Sequence, residues 1–462
     1  SERLRYLKNP QQLLLRLKQK AKNSSFLERR RISEEILVLK DLLRHPQRVI
    51  SPSEVFHAVI YTTYKEPFEV LYKSISAVAD SDFPNKRIIL VLATEARSGK
   101  EGQQIARRLK AEFKDVFYKF LITVHPDNIV GELKAKGANA TWAGKRLKEF
   151  IDRQGIEYEK VIVSIFDADT RPAHSFFSAL TYKYLLHADR IYHSFQPIPL
   201  YSNNIWQVPP LVRLVAFGSS FWQLIESTRP YRLINFSSQS LSFKTLVDID
   251  FWDTKIVSED SRTYYRVFFR YQGRHSCIPI FIPVYMDAIY APSIWQTLKN
   301  QYLQKRRWAW GVEHFPYLVK ECLKHKEINF WSKWSLVFRH LESHVSWAST
   351  SLLIALGGWW PFLLNPYFQT SVLSYYLPFL AQRLLTLTWI GLIISGFVSV
   401  LLLPPRPKNY GKIKTLGVFV GWVFVPITAI FFGSFPAISA QTRLMLGKYL
   451  GFWVTPKELA KN

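Results

Sequence analysis

Asp167 and Asp169 stand one residue apart at the end of the apolar run Val161-Ile162-Val163-Ser164-Ile165-Phe166. In an extended segment, residues i and i+2 project to the same side, which predicts that both carboxylates face one small volume. Two anions placed there repel unless a cation or protons hold them together. A hard divalent ion, Mg²⁺ or Mn²⁺, bound through carboxylates and substrate phosphates is the simplest answer. The plainer reading is a strand running into a turn, since Asp is a common turn residue. A second acidic pair, Glu259-Asp260, follows Val257-Ser258 and stands among aromatic and apolar residues. It reads either as a solvated helix start or as a carboxylate able to take a proton from a hydroxyl nucleophile. A third cluster is Gln304-Lys305-Arg306-Arg307-Trp308-Ala309-Trp310. Its cations suit a diphosphate, and Trp308 and Trp310 offer flat apolar faces for sugar rings or lipid. A basic amphipathic helix resting on a membrane has the same composition.

The elements that must position these groups alternate. Residues 56–61, 87–93, 117–124 and 161–166 read as strands, and 68–79, 100–114 and 142–151 as helices. Strands at this rhythm predict an α/β domain around a mostly parallel sheet, where ligands bind at the carboxyl ends of strands. The Asp pair and the loop Thr63-Tyr64-Lys65-Glu66 both fall at such ends.

Three later apolar runs, 347–364, 384–403 and 416–440, each meet the length of a membrane-crossing helix of roughly 17–25 residues. The connection 365–373 is uncharged, whereas 404–415 carries Arg406, Lys408, Lys412 and Lys414. The positive-inside tendency then places the second loop, and the large domain before the first run, on the cytoplasmic side of an inner cell membrane. The expected order is a basic helical juxtamembrane segment over 1–50, a catalytic domain over 51–325 and an interfacial helix over 326–346. The membrane region over 347–440 and a basic tail over 441–462 complete it. Three crossings put that tail outside, against its charge; a tail lying in the interface removes the conflict. Residues 1–50 hold 13 Lys/Arg against 5 Asp/Glu and read as a solvated basic helix pair or an amphipathic segment on anionic lipid. The net charge of +26 in 462 residues, with 15 Trp, points to anionic membrane, phosphorylated substrate or nucleic acid. Nucleic acid fits poorly, because many cations flank membrane-like segments and no nucleic-acid motif occurs. With two cysteines, Cys277 and Cys322, there is no disulfide framework.

Taken in order, Asp167-Ala168-Asp169, Glu259-Asp260 and Gln304 to Trp308, ahead of apolar spans, closely resemble the membrane-embedded family 2 glycosyltransferases, relatives of cellulose and hyaluronan synthases. The resemblance runs over roughly residues 55–440 and implies a GT-A fold and an inverting, metal-dependent hexosyltransferase. On it, Asp169 and Asp167 ligate Mg²⁺ or Mn²⁺, and Asp260 is the catalytic base. Tyr64, Glu66, Lys136, Asn139, Asp167 and Arg307 lie toward the nucleotide-sugar donor, with UDP the default nucleoside diphosphate. Glu259, Gln304, Trp308 and Ser238, the last within the Ser237–Ser242 loop, lie toward a lipid or glycan acceptor. One departure stands out: where the family has an Asp for the nucleoside, this chain has Thr94-Glu95, and Glu95 is the expected substitute. The few spans point to a short product, partner subunits or further spans upstream. A catalytically inactive binding protein of the same fold is the alternative.

Overall fold

In the computed structural model, residues 4, 7, 9–357, 360–408 and 410–451 are described. Residues 452–462 of the expected basic tail lie outside the described residues. The chain divides into two compact units, Ser1–Pro199 with Gln223–Tyr285, and Leu200–Trp222 with Met286–Asn462. The basic N-terminal segment therefore belongs to the first unit, and residues 286–325, expected within the catalytic domain, belong to the second.

The first unit opens with helices α1 (Pro10–Lys22) and α2 (Phe26–Arg44). Four parallel strands follow: β1 (Phe56–Thr62), β2 (Ile88–Glu95), β3 (Lys119–His125) and β4 (Val161–Asp167). Helices α3 (Phe68–Ala79), α4 (Gly99–Glu112) and α5 (Lys136–Arg153) connect them. The sheet then continues with β5 (Arg171–Pro172), β6 (His193–Leu200), β7 (Ser240–Ser242) and β8 (Ser276–Tyr285), in the spatial order β3-β2-β1-β4-β7-β6-β8-β5. The pairs β4–β7, β6–β7 and β5–β8 are antiparallel. The expected α/β class is what the structure has, with a mixed rather than mostly parallel sheet.

Strands β1, β2 and β4 are mostly apolar and buried along nearly their whole length because both faces are covered. On one side Val59, Tyr61, Leu90 and Leu92 pack with Leu71 and Ile75 of α3. On the other, Ala58, Ile60, Val91 and Ile165 pack with Ala143 and Leu147 of α5. The parallel register pairs Thr62 with Asp167 and Glu95 with His125, so the carboxyl ends of all four strands share one edge.

In the second unit, α6 (Ile294–Ala309), α7 (His314–Lys324) and α8 (Phe330–Leu356) precede the apolar segments. Among the described residues two helical stretches are long and apolar enough to cross a membrane: α9 (Val372–Leu401) and Thr415–Met445, within which 18-residue segments reach mean hydropathies of 2.2 and 2.1. They contain most of the runs expected at 384–403 and 416–440. The run at 347–364 is not one helix. Its first part ends α8 at Leu356, and its last is the five-residue helix Trp360–Leu364. Gly357 closes α8 and Pro361 opens the next turn, where the sequence lacks what a continuous helix needs. Along α8, Trp331, Phe338 and Leu341 are exposed, in the region expected to lie in an interface.

Two core histidines give the first unit a pH dependence. His57, fully buried in β1, bonds Thr181 Oγ1 at 2.7 Å, and His275 bonds the Tyr192 carbonyl at 2.9 Å. Burial pushes both imidazoles down, to about 3. The unfolded chain takes up these protons near 6.5, so their contribution is complete above that pH and is lost as pH falls toward 3. At pH 5 each is expected to cost about 2 kcal/mol relative to neutral pH. Thermal unfolding measured at pH 7 and pH 5 checks this: His57→Phe should show a smaller pH-dependent drop in Tm than the parent. An undiminished drop would rule His57 out as a source.

Candidate active site

The site is built at the carboxyl ends of β1, β2 and β4. Strand β4 ends at Asp167, whose side chain is about a third exposed, and a turn follows in which Thr170 N–H donates to Asp167 O at 2.9 Å. Because the extended backbone stops there, the i,i+2 alternation does not carry through to the second aspartate. Asp169 is fully buried, and its charge lies close to Tyr61 and not in the open site. The two aspartates therefore do not share one solvent-facing volume.

Asp167 meets different partners. The Lys136 ammonium lies 2.9 Å from Asp167 Oδ1, 3.5 Å from Asp260 Oδ1 and 3.6 Å from Glu259 Oε1. Lys136 is the first residue of α5, while Glu259 and Asp260 open a later helix, Glu259–Arg270. Gly137 makes their approach possible: a Cβ there would sit 2.5 Å from the Asp253 carbonyl and 3.1 Å from Glu259 Cβ. Ser237 Oγ donates to Asp167 Oδ2 at 2.7 Å, and Gln239 Nε2 donates to Asp260 Oδ1 at 3.2 Å. Between them Ser238 is fully buried in a left-handed conformation, φ 67°, a strained backbone for a residue with a Cβ.

The electrostatics follow from three carboxylates around one cation. Burial works against the Lys136 charge, yet Asp167, Asp260 and Glu259 outweigh it and hold the ammonium above its ordinary value. Burial lifts Glu259 above the usual carboxylate range, helped by Asp260 and opposed by Lys136. Burial also lifts Asp260, with Lys136 pulling down and Asp167 pushing up. A carboxyl raised by burial and oriented by an amide donor, as Asp260 is, has the chemistry a general base needs.

Beside this cluster, the β1 loop is fixed by Glu66, whose Oε2 accepts from Thr63 Oγ1 and Tyr64 N–H, each at 2.7 Å. Arg97 forks onto the Glu95 carboxylate and centres 4.2 Å above the Tyr64 ring. The Glu95 side chain, expected to face a nucleoside, is thus paired with a guanidinium. Arg97 is a site residue that the sequence reading passed over, and its place two residues after Glu95 was the available signal. Thr94 Oγ1 donates to the Thr123 carbonyl at 2.9 Å, tying β2 to β3. Asn139 is buried within α5, and its amide donates to the Ala93 carbonyl at 2.8 Å, which anchors the helix to β2. Gln239 lies within the Ser237–Ser242 loop that the sequence singles out, although its own side chain is not named there.

Gln304, Arg307 and Trp308 lie in the second unit on α6. Gln304 Oε1 accepts from Gln301 Nε2 at 3.1 Å. The Lys305 ammonium sits 4.3 Å over the Trp308 ring and donates to Ser219 Oγ at 2.7 Å. Tyr201 is tilted against Trp308 at 5.9 Å. Trp310 is fully buried with its Nε1 on Glu313 at 2.9 Å, so it presents no face to a ligand.

No family model matches the sequence, and no curated protein matches it. Solved structures similar to this chain include a mannosyltransferase from Pyrobaculum calidifontis in complex with GDP-Man and Mn²⁺. It is 15% identical, with a TM-score of 0.39, over 71% of this chain and 86% of that one. Residues 1–349 of S. aureus TarS in complex with UDP-GlcNAc are 13% identical, with a TM-score of 0.41, over 86% of this chain and 93% of that one. GalNAc-T7 with UDP, GalNAc and Mn²⁺ is 11% identical, with a TM-score of 0.36, over 63% of this chain and 58% of that one.

Proposed function

We propose that the chain is a membrane-bound, inverting glycosyltransferase that moves a hexosyl group from a nucleoside diphosphate sugar to a lipid-linked or glycan acceptor. The observation that carries it is the convergence of Asp167, Glu259 and Asp260 on Lys136 at the strand ends, from sequence positions that also follow the family's motif order. In this reading Asp260, oriented by Gln239, accepts the proton of the acceptor hydroxyl as its oxygen attacks the anomeric carbon. The bond from that carbon to the diphosphate oxygen breaks, and its electron pair leaves with the nucleoside diphosphate. Lys136 works against the rise that burial imposes on Asp260, and in this reading its charge also faces the departing diphosphate, where it would act most strongly in the transition state. Tyr64, Glu66, Glu95 and Arg97 line the nucleoside side. Gln304, Arg307 and Trp308 keep the diphosphate and acceptor roles that the resemblance implies.

The oxygen donors suit a hard dication. Among the described residues no group of three His, Cys, Asp or Glu side chains could hold a metal ion. The protein contribution that fits is therefore the partly exposed Asp167 alone, with the donor's phosphates supplying the other oxygens, and the buried Asp169 does not fit the expected ligand role. Bound with the donor, Mg²⁺ or Mn²⁺ would neutralise the diphosphate as it leaves. The exposed apolar surface of α9, including Tyr375, Leu387 and Phe397, supports placing the chain in a membrane. A multi-pass arrangement with the catalytic unit cytoplasmic rests on the cations of the 404–415 loop.

Two features favour a second reading, a non-catalytic nucleotide- or saccharide-binding protein: Lys136 already fills the space among the acidic groups, and Arg97 already pairs Glu95. Purified protein incubated with a panel of nucleoside diphosphate sugars, with and without Mn²⁺, decides between them. The expected result is metal-dependent release of nucleoside diphosphate from one donor. Donor binding without release across the panel would favour the non-catalytic protein.

A further inference from the structure

Helices α1 and α2 form a hairpin whose inner face is locked to the first unit. Leu13, Leu17, Ile32, Leu39 and Leu42 are buried in its core, and the Tyr182 hydroxyl donates to Glu35. The turn at the tip is pinned as well. Ser24 Oγ donates to the Lys20 carbonyl at 2.8 Å, and Arg29 donates to the carbonyls of Ala21 at 3.1 Å and Ser24 at 3.3 Å. This rigid tip presents Phe26 with 82% of its surface exposed, while Leu15 and Leu37 on the outer faces are 67% and 65% exposed. Singly exposed apolar side chains are ordinary on a protein surface, so these three point to a partner only through the charges that surround them.

Their neighbours say what covers them. Residues 10–31 carry seven Lys/Arg against one acidic residue, Glu28. On α1, Leu15, Lys18 and Lys22 fall on one side by the 3.6-residue period, opposite buried Leu13 and Leu17. On α2 the exposed line Arg30, Glu34, Leu37, Asp41 and Arg44 carries both signs, with Glu34 3.6 Å from Arg30, so the excess of cations lies on α1 and at the Arg29–Arg31 end of α2. Cations around isolated apolar side chains match an anionic bilayer surface, where phosphates meet the cations and the rings and alkyl groups enter the interface. A nucleic-acid backbone would pair with the cations but has no place for Leu15 and Leu37.

We infer that the α1–α2 hairpin is a docking surface for the anionic headgroups of a lipid bilayer, with Phe26 entering the interface at its tip. This rests on the hairpin alone and stands or falls separately from glycosyl transfer.

The test uses the full chain with Ser25→Cys carrying an environment-sensitive NBD fluorophore; Cys277 and Cys322 are buried, so labelling is selective. The probe is read after incorporation into phosphatidylcholine vesicles, with or without phosphatidylserine. Apolar spans insert into both lipids, so a difference between the two arms reports the hairpin. Blue-shifted, intensified emission is expected only with phosphatidylserine, reversed by high salt. Each basic residue at such a surface changes partition by about fivefold, so Lys18→Gln/Lys22→Gln/Arg30→Gln should weaken the response by about a hundredfold. Phe26→Ala should reduce the blue shift while leaving the salt dependence. Equal emission in both lipids, or an undiminished response in the triple variant, would overturn the inference, and the salt titration of the parent needs no variant to fold. A probe response to an RNA oligonucleotide without lipid, and none to anionic vesicles, would assign the surface to nucleic acid instead.

Discussion

Asp260→Asn is expected to lower sugar transfer by about a thousandfold, the scale of a lost general base, while donor and Mn²⁺ still bind. The amide keeps the volume of the carboxylate and can still be met by Gln239, whose Nε2 lies 3.2 Å from the present Oδ1. It cannot accept the acceptor's proton. A fall in kcat with an unchanged donor KM is the signature of an interaction used in the transition state. Donor affinity measured by calorimetry, and turnover measured by nucleoside diphosphate release, separate the two. Turnover near the parent rate would remove Asp260 from the role of base and leave the acidic cluster a structural device.

Lys136→Met is expected to give the largest loss of stability, with a pH dependence of definite sign. Removing one partner of a buried ionic cluster costs about 3–5 kcal/mol, because the remaining charges stay buried without compensation. Here three carboxylates would remain within reach of one vacated position. Glu259 in the folded protein is raised above its ordinary 4.5, chiefly by burial. Its contribution is therefore present below that pH and is lost as pH rises through the raised value, since the folded state holds the proton longer than the unfolded one. Lys136 opposes this rise in both Glu259 and Asp260, so its removal moves them higher still. The gap in Tm between parent and variant should be small near pH 5 and wide near pH 8. Added Mn²⁺ should narrow it at pH 8, by restoring positive charge beside Asp167. A gap that stays constant with pH would mean that Lys136 contributes packing alone.

Much of the scaffold was legible because it is written in local periodicity. The apolar run 161–166 is β4 to within one residue, the helix expected over 68–79 is α3, and the strands expected at 56–61 and 87–93 are β1 and β2. Helix α5 was anticipated only from 142, although it begins at Lys136. Gly137, a poor helix former, hid its first turn, and it is there because the Asp253 carbonyl leaves no room for a side chain. The apolar run at 347–364 has the right length for a span, and the described helix within it, α8, ends at Leu356 with Gly357 following.

By itself the sequence determined the first four strands and the helices between them, the acidic residue at the end of β4, and the two long apolar helices, since each depends on residues close together in the chain. The tertiary structure decided which charges meet. Lys136 joins Asp167 across 31 positions and Asp260 across 124, and no local pattern encodes contacts at such separations. It also decided that Asp169 is buried behind the turn and that Glu95 is held by Arg97, because burial and pairing depend on what the fold brings alongside a residue. A carboxylate's position in the chain marked where chemistry was to be sought; its neighbours in space decide whether it holds a cation, takes a proton or fixes a loop.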